Sequence, residues 1–483
     1  MGQNLKSQTI SGMIWSAVQK FGNMGISFIS NIVLARMLTP DDYGCIGMLA
    51  IFIVISNTFV DGGFGSALIQ KKEPTQQDYS TIFWWNLFIS FVLYFVLYLA
   101  APVIADFYHI PLLSFVLRVQ GFVLIINSLN IIQTNQLRKQ LKFKRLANVT
   151  IIAHIVAAIS AIVLAWNGWG VWALVAQQII ANSGISIMLW FLNKWLPDFS
   201  FSKESFKQLF GFGSFILLAN LINTFCNNIQ GLLIGRFFSS TVMGYYAQAL
   251  KLEDISSKSF ASIVDQVSYP VLSKFQSDND AMKSVLRKLV VALFYVAFPL
   301  MLVLILLAEP IIMLLYGVKW LPSVHYFQIL CVGGIAVSLQ GLYYFAVASK
   351  GKSKSLLVWT IIKRGIGLLV VLLGMYFGGI NGLLWGSAAV AWIILFSNAY
   401  LVRKYINYTF LEQIRDLFPI VLLSICIFIL LFIVNSFFTG NLYFKAFIIF
   451  LLYIVLYIGI SFFTKIKALF SLLEILRNFK NKN

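Results

Sequence analysis

The sequence has 483 residues, of which 60% are hydrophobic and only 11% are charged, and its mean hydropathy is +0.86. These values exclude an ordinary soluble enzyme of this length. The formal net charge of +19 does not indicate nucleic-acid binding, because the basic residues lie in short loops between apolar runs.

Apolar runs long enough to cross the hydrocarbon core, each of roughly 20 residues, recur along the whole chain. They predict an all-α, polytopic membrane protein with about 14 transmembrane helices and short loops. The predicted spans are 11–37, 44–70, 80–105, 112–136, 147–167, 169–192, 207–234, 242–272, 286–308, 323–349, 355–376, 380–401, 417–436 and 441–463.

The basic residues alternate from one loop to the next. Lys71 and Lys72 begin a series of Lys- and Arg-rich loops, whereas the intervening loops hold few cations, such as Arg36 and Arg236. Cytoplasmic loops of membrane proteins carry an excess of Lys and Arg. The pattern therefore predicts an even number of spans, with both termini in the cytoplasm.

A similar stretch of sequence occurs twice, about two hundred positions apart. Arg36 is followed by Gly44, and Arg236 is followed by Gly244 at the same spacing. Such a repeat predicts two pseudo-symmetric six-helix lobes related by an axis along the membrane normal. We expect an N-lobe at 1–200, a C-lobe at 201–405, two further helices at 406–463 and a cytoplasmic amphipathic tail at 464–483.

Both copies carry a polar stripe on the first helix of the repeat. The trios stand at steps of three and four, which put each of them on a single helix face. The trios are Lys20, Asn23 and Ser27 in the first copy and Asn220, Asn223 and Asn227 in the second. Because polar groups in lipid are costly, the duplicated stripe predicts a shared central cavity.

Lys20 lies about 13 Å into the first predicted span at 1.5 Å per residue. A cation at this depth costs about 2.5–3.5 kcal/mol on insertion scales unless a partner or water compensates it. Two interpretations remain open. Lys20 faces a substrate in a wet cavity, or it forms a buried ion pair, for instance with Asp61 on the neighbouring helix.

The eighth predicted span holds several charged residues on one helix face, whereas Glu253 points away from that face. The alternating signs indicate either a structural ladder of ion pairs or a gate or ligand site. The residues on this face are Lys251, Asp254, Lys258, Ser262 and Asp265. In the fourth span, Asn127, Asn130 and Gln133 form another polar row, which is typical of helix–helix contacts.

The sequence contains no His, Cys and carboxylate cluster at metal-ligand spacing and no Gly-rich phosphate loop followed by Lys and Ser or Thr. We therefore expect no metal, no cofactor and no catalytic residues. The sequence predicts a transporter rather than an enzyme.

Two segments, IVLARMLTPDDYG at 32–44 and FVDGGFGSALIQKK at 59–72, resemble bacterial polysaccharide transporters. These include the O-antigen (lipopolysaccharide) and exopolysaccharide repeat-unit flippases of the multidrug/oligosaccharidyl-lipid/polysaccharide (MOP) exporter superfamily. The resemblance is dense over the first 110 residues or so and can be followed through the twelfth span.

The resemblance implies alternating access and an undecaprenyl-pyrophosphate-linked oligosaccharide as the cargo, flipped from the inner to the outer leaflet. Related flippases line their cavity with Arg and Lys, and Lys20, Lys251 and Lys258 stand at suitable positions. This chain departs from the pattern on the second helix, which offers Asp61 and Asn57 instead of a cation.

The resemblance also implies membrane lipids, a polysaccharide polymerase and a chain-length regulator as partners. We expect no binding to nucleic acid. Three alternatives remain. A multidrug exporter of the same superfamily would take organic cations, a membrane polymerase or acyltransferase would need an exterior loop or an intramembrane catalytic centre, and a scaffold would not need the polar stripes.

Overall fold

The computed structural model describes residues 2–437, 440–466 and 469, without the side chains of residues 2–10, 212, 260, 262–267, 270, 353 and 354. Within these residues the chain is all-α. The helices are α1 Gly2–Met37, α2 Pro40–Asp61, α3 Phe64–Gln70, α4 Gln76–Tyr108, α5 Leu112–Gln120, α6 Phe122–Lys139, α7 Phe143–Trp166, α8 Val171–Asn193, α9 Lys203–Phe237, α10 Ser240–Ser273, α11 Asn279–Leu306, α12 Ala308–Leu315, α13 Ser323–Ser349, α14 Ser353–Ile406, α15 Phe410–Phe437 and α16 Leu442–Phe463, with a short 3₁₀ helix at Val318–Trp320.

The predicted all-α fold class is confirmed, since the predicted spans fall on helices, although 44–70 and 112–136 each cover two of them. Ten helical stretches of the described residues are long and apolar enough to cross a membrane, and the bent helix α9 would raise the number to 11. Helices α1 and α10 are not among them. Helix α14 covers two predicted spans, which are separated at Gly379 by a non-helical backbone conformation with φ of 56°. The number of 14 spans therefore stays a prediction.

Threonine caps begin the helices α2 and α4. The backbone N–H of Asp42 donates to the Thr39 hydroxyl, and the N–H of Thr39 donates to the Asp42 carboxylate at 2.9 Å. Thr75 and Asp78 repeat this capping box at the start of α4. Reciprocal bonds of this kind satisfy N–H groups that a helix leaves without partners at its beginning.

The chain divides into two compact units, Met1–Gly244 and Tyr245–Asn483. In the first unit, α7 packs between α1 and α8, α6 packs against α4 and α8, and α9 packs along α2. In the second unit, α13 packs against α14 and α11, and α15 joins α11 to α16. The division into lobes at residue 200 stays a prediction, and most of the predicted tail 464–483 lies outside the described residues.

Two ion pairs fix α15 against α11 in the second unit. Lys283 contacts Glu412 at 2.6 Å, and Arg287 pairs with Asp416 one turn further along both helices. Tyr408 also donates a hydrogen bond to Asp416 at 2.8 Å, and burial raises the pKa of its phenol. The first of the two helices predicted to follow the repeat is thus anchored to the second unit.

The repeat-related glycines of the first unit lie in one close contact. A Cβ atom on Gly44 would overlap the backbone carbonyl of Ser240, and a Cβ on Gly244 would overlap that of Pro40. The Asp41 carboxylate accepts hydrogen bonds from the Ser240 and Thr241 hydroxyls at 2.6 and 2.7 Å. The two copies of the repeated stretch therefore pack on each other through their glycines.

We expect the substitutions Gly44→Ala and Gly244→Ala to destabilise the protein by about 1–3 kcal/mol each, because the added methyl group must push a backbone away. The thermal unfolding midpoint of the purified protein in detergent measures this effect. The control is Gly25→Ala in α1, where an added Cβ meets nothing within 4 Å. Equal midpoints for Gly44→Ala and the control would show that the close contact does not exist.

Candidate substrate cavity

A cavity of about 400 Å³ lies between α2 and α9, inside the first unit. The lining residues recur at steps of three and four along both helices, so that each helix presents a single face to the cavity. They are Val54, Asn57, Thr58 and Asp61 of α2 and Asn220, Asn223, Thr224 and Asn227 of α9.

Close backbone contacts lie on both sides of this cavity along the helix pair. Toward the start of α2, a Cβ on Gly231 would lie 3.6 Å from the carbonyl oxygen of Gly47. Beyond the end of α2, a Cβ on Gly63 would overlap the carbonyl of Gly213, where α9 bends by 49°. The helices therefore approach closely at two points and leave room for larger polar side chains between them.

Two contacts organise the polar side chains on α2. The Asn57 side chain accepts a hydrogen bond at 2.9 Å from Asn127 of α6, which belongs to the polar row predicted to join helices. The hydroxyl of Thr58 donates to Val54 O at 2.8 Å and lies 3.4 Å from the hydroxyl of Thr224. Asn57 is thus held in one orientation, and the two threonines connect the helices across the cavity.

Asp61 is the last residue of α2 and is half-buried. Gly62 and Gly63 follow in the left-handed region, with φ of 57° and 71°, and the backbone N–H of Gly63 bonds the Asp61 carboxylate. A Cβ on Gly65 would lie 2.8 Å from Asn135 Nδ2 and 3.2 Å from Asp61 Oδ1. Glycines therefore provide both the turn and the space that the carboxylate occupies.

The structure brings Asn220, Asn223 and Asn227 together with Asp61, as lining residues of this single cavity. Their part in binding stays a prediction. Thr58 and Thr224, which also line the cavity, were not predicted from the sequence. Their spacing of one helical turn from the predicted asparagines and Asp61 was the available signal.

The first trio lies on α1, outside the residues that line the cavity. Lys20 is exposed, whereas Asn23 and Ser27 are half-buried. The structure describes the side chains of Lys20 and Asp61, and no salt bridge joins them, so the suggested ion pair is not formed. The amide oxygen of Asn23 is buried and lacks a hydrogen-bond partner among the described residues.

The charged residues of α10 divide into exposed and buried groups. Lys251 is exposed, and Lys258 forms a salt bridge with Asp254 one helical turn away. Glu253 is buried against Gly334, and its predicted orientation away from the charged face stays a prediction. The side chain of Asp265 lies outside the described residues.

Among curated proteins, the chain is 27% identical over 358 residues to the teichuronic acid biosynthesis protein TuaB of Bacillus subtilis, covering 74% of each chain. It is 22% identical to the lipopolysaccharide biosynthesis protein WzxC of Escherichia coli, covering 80% of this chain and 79% of the relative. It is 23% identical to the succinoglycan biosynthesis transport protein ExoT of Rhizobium meliloti, covering 66% and 65%.

Among solved structures, the fold is similar to that of the lipid II flippase MurJ in an inward closed conformation, with a TM-score of 0.76 and 16% identity over 94% of this chain and 99% of that one. An inward-facing multidrug MATE transporter of the MOP superfamily gives a TM-score of 0.65 and 13% identity over 82% and 98%. At these identities the likeness concerns the fold. The family described as polysaccharide biosynthesis protein matches residues 33–325, more than half of the sequence, and the chain belongs to this family.

Proposed function

We propose that this protein is a flippase that moves undecaprenyl-pyrophosphate-linked oligosaccharide units from the inner to the outer leaflet of the plasma membrane for surface polysaccharide biosynthesis. The observation that carries the proposal is a cavity lined by asparagine, threonine and aspartate between two helices of an apolar bundle. Membership of the polysaccharide biosynthesis family and the fold shared with a lipid II flippase support it.

The headgroup of such a cargo has two chemically different parts. The lysines Lys20, Lys251 and Lys258 are the proposed partners of the pyrophosphate, and none of them lines the cavity between α2 and α9. The cavity between α2 and α9 would take sugars, because amides and hydroxyls both donate and accept hydrogen bonds. The lipid tail would stay in the bilayer.

The proposed transport cycle is alternating access. Proline, glycine and serine residues of the two repeats meet where α2 and α10 begin, which the alternation of basic loops assigns to the outer side. A state that is closed at this end and open to the cytoplasm at the other would be the inward-facing state of such a cycle. Both termini would then be cytoplasmic.

The membrane potential is the proposed energy source for this cargo, and a coupled proton or sodium ion is the alternative. A headgroup with about two negative charges that moves outward across about 100 mV, inside negative, gains roughly 4–5 kcal/mol. A polysaccharide polymerase and a chain-length regulator are the proposed partners, since a repeat unit delivered to the outer leaflet must be polymerised there.

A multidrug exporter of organic cations is the second candidate. One observation favours it, namely the carboxylate of Asp61 in the cavity, which would attract a cation. The two functions are separated by assaying vesicles that contain the purified protein for flipping of a lipid-linked oligosaccharide and for export of a fluorescent organic cation. Cation export without flipping would refute the flippase.

The asparagines of α9 provide a test of the cavity. Replacing Asn220 and Asn227 together by leucine preserves their size but removes their hydrogen bonds, so we expect the flipping rate in proteoliposomes to fall at least about tenfold, the effect of about 1.4 kcal/mol. The control is Asn228→Ala, since the side chain of Asn228 bonds Thr224 O of its own helix. An unchanged rate in the double variant would remove the cavity from the transport path.

Lys20 is tested in cells that require this export. We expect Lys20→Ala to lower the amount of surface polysaccharide about tenfold, because one cationic partner of the pyrophosphate is lost, whereas Lys20→Arg keeps most of it. Lys72→Ala, which removes an exposed loop lysine, serves as the control. Full surface polysaccharide with Lys20→Ala would exclude Lys20 from the mechanism.

Alternating access is tested by joining the two repeats where they meet. In a background with the four native cysteines replaced by serine, Asp41→Cys and Thr241→Cys are combined, since these side chains are in contact. We expect oxidation to abolish flipping and a reductant to restore it, with each single variant unaffected. Flipping by the fully cross-linked protein would contradict the proposed opening of this contact.

A further inference from the structure

The cavity between α2 and α9 is lined by a carboxylate and by no cation, although the proposed cargo is an anionic lipid. Among the described residues that line it, Asp61 is the only one with an ionisable side chain, and the others are amides, threonines and one valine. A pyrophosphate-binding site needs cations or clustered N–H donors. This part of the protein is therefore suited to a different portion of the cargo.

The carboxylate of Asp61 lies where a negative charge is costly. It is at the carboxyl end of α2, where the helix dipole is negative, and it is half-buried. The backbone N–H of Gly63 bonds the carboxylate, and Arg138 on α6 is near enough to interact with its charge. Arg138 itself is not among the lining residues, so the carboxylate, and not its cationic neighbour, faces the cavity.

A carboxylate of this kind distinguishes neutral from acidic sugars. An ionised aspartate only accepts hydrogen bonds, and the hydroxyl groups of a neutral sugar supply donors. The asparagines and threonines beside it both donate and accept, as a ring of sugar hydroxyls requires. A uronic acid would instead bring a second carboxylate close to Asp61, and the two like charges would repel each other.

We infer that this cavity is a subsite for neutral sugar residues and that Asp61 selects against sugars that carry a carboxylate. The inference rests on the proposed flippase function and adds the chemical class of the sugar that the cavity takes. Repulsion between two charges about 5 Å apart, screened by solvent, gives a selectivity of at least about tenfold.

The test uses the full chain in proteoliposomes with two synthetic substrates. Both are short polyprenyl pyrophosphates bearing a disaccharide, and they differ only in that the terminal glucose of one is glucuronic acid in the other. We expect the natural sequence to flip the neutral substrate at least about tenfold faster than the acidic one. The ratio of the two rates isolates the sugar, because both substrates carry the same pyrophosphate.

Two substitutions shift this ratio in opposite directions. Asp61→Asn keeps the size of the side chain and removes its charge, so we expect the preference to fall below about threefold through faster flipping of the acidic substrate. Asn220→Asp adds a charge to the facing helix and should increase the preference. Asp106→Asn, which removes a charge from an exposed position on α4, is the matched control and should leave the ratio unchanged.

The outcomes separate the two proposals. Flipping of both substrates at equal rates by the natural sequence would overturn the selectivity while the flippase function stands. A ratio that Asp61→Asn leaves unchanged, even with slower flipping of both substrates, would assign Asp61 a structural role and also overturn it. Failure to flip either substrate would refute the proposed function together with the inference.

Discussion

The pairing of α2 with α9 is the contact on which the candidate site depends. The helices run antiparallel and meet closely at two points, near Gly47 and Gly231 and again at Gly63 and Gly213. At Gly63 and Gly213 the backbones approach more closely than a side chain would allow, whereas near Gly47 and Gly231 their distance is that of ordinary van der Waals contact. Between these points the side chains are larger and polar, so the helix surfaces separate and the cavity lies there.

The polar side chains of α2 and α9 lie where the surfaces of the two helices separate. Asparagine and threonine are costly in a lipid-facing position, yet their cost is small where they line a hydrated space or bond one another. The bond from Asn127 to Asn57 and the contact between Thr58 and Thr224 lie at this position in the first unit. The same polar residues that lower the hydrophobicity of α9 therefore make the site.

The sequence predicted the helices well, because their hydrophobic length follows directly from the thickness of the membrane. It also predicted the polar face of α9, since steps of three and four define a face without any knowledge of neighbours. It did not predict which helix that face meets. Asn220 was matched with Lys20 by the repeat, whereas in the structure it lines a cavity with Asp61.

The contacts of the repeated Arg and Gly positions could not be predicted from the sequence either. Their spacing predicted an internal repeat, but such a repeat does not say that Gly44 and Gly244 pack against the opposite copy. That contact is a property of the tertiary structure and depends on backbone separation, which periodicity does not encode. The suggested pair of Lys20 with Asp61 was wrong for a related reason, because a depth along one helix does not determine its neighbour.

The two kinds of contact along α2 have different consequences for movement. Contacts at glycines are stabilised mainly by dispersion, and this energy is lost gradually as the helices separate. The separation of such contacts leaves few buried polar groups without partners. The hydrogen bonds of Asp41 with Ser240 and Thr241 involve exposed side chains, and water can replace them when this end opens. Separation of the repeated segments at this end would therefore cost little free energy, whereas the contacts of Asn57 and Thr58 hold polar side chains of the cavity in place.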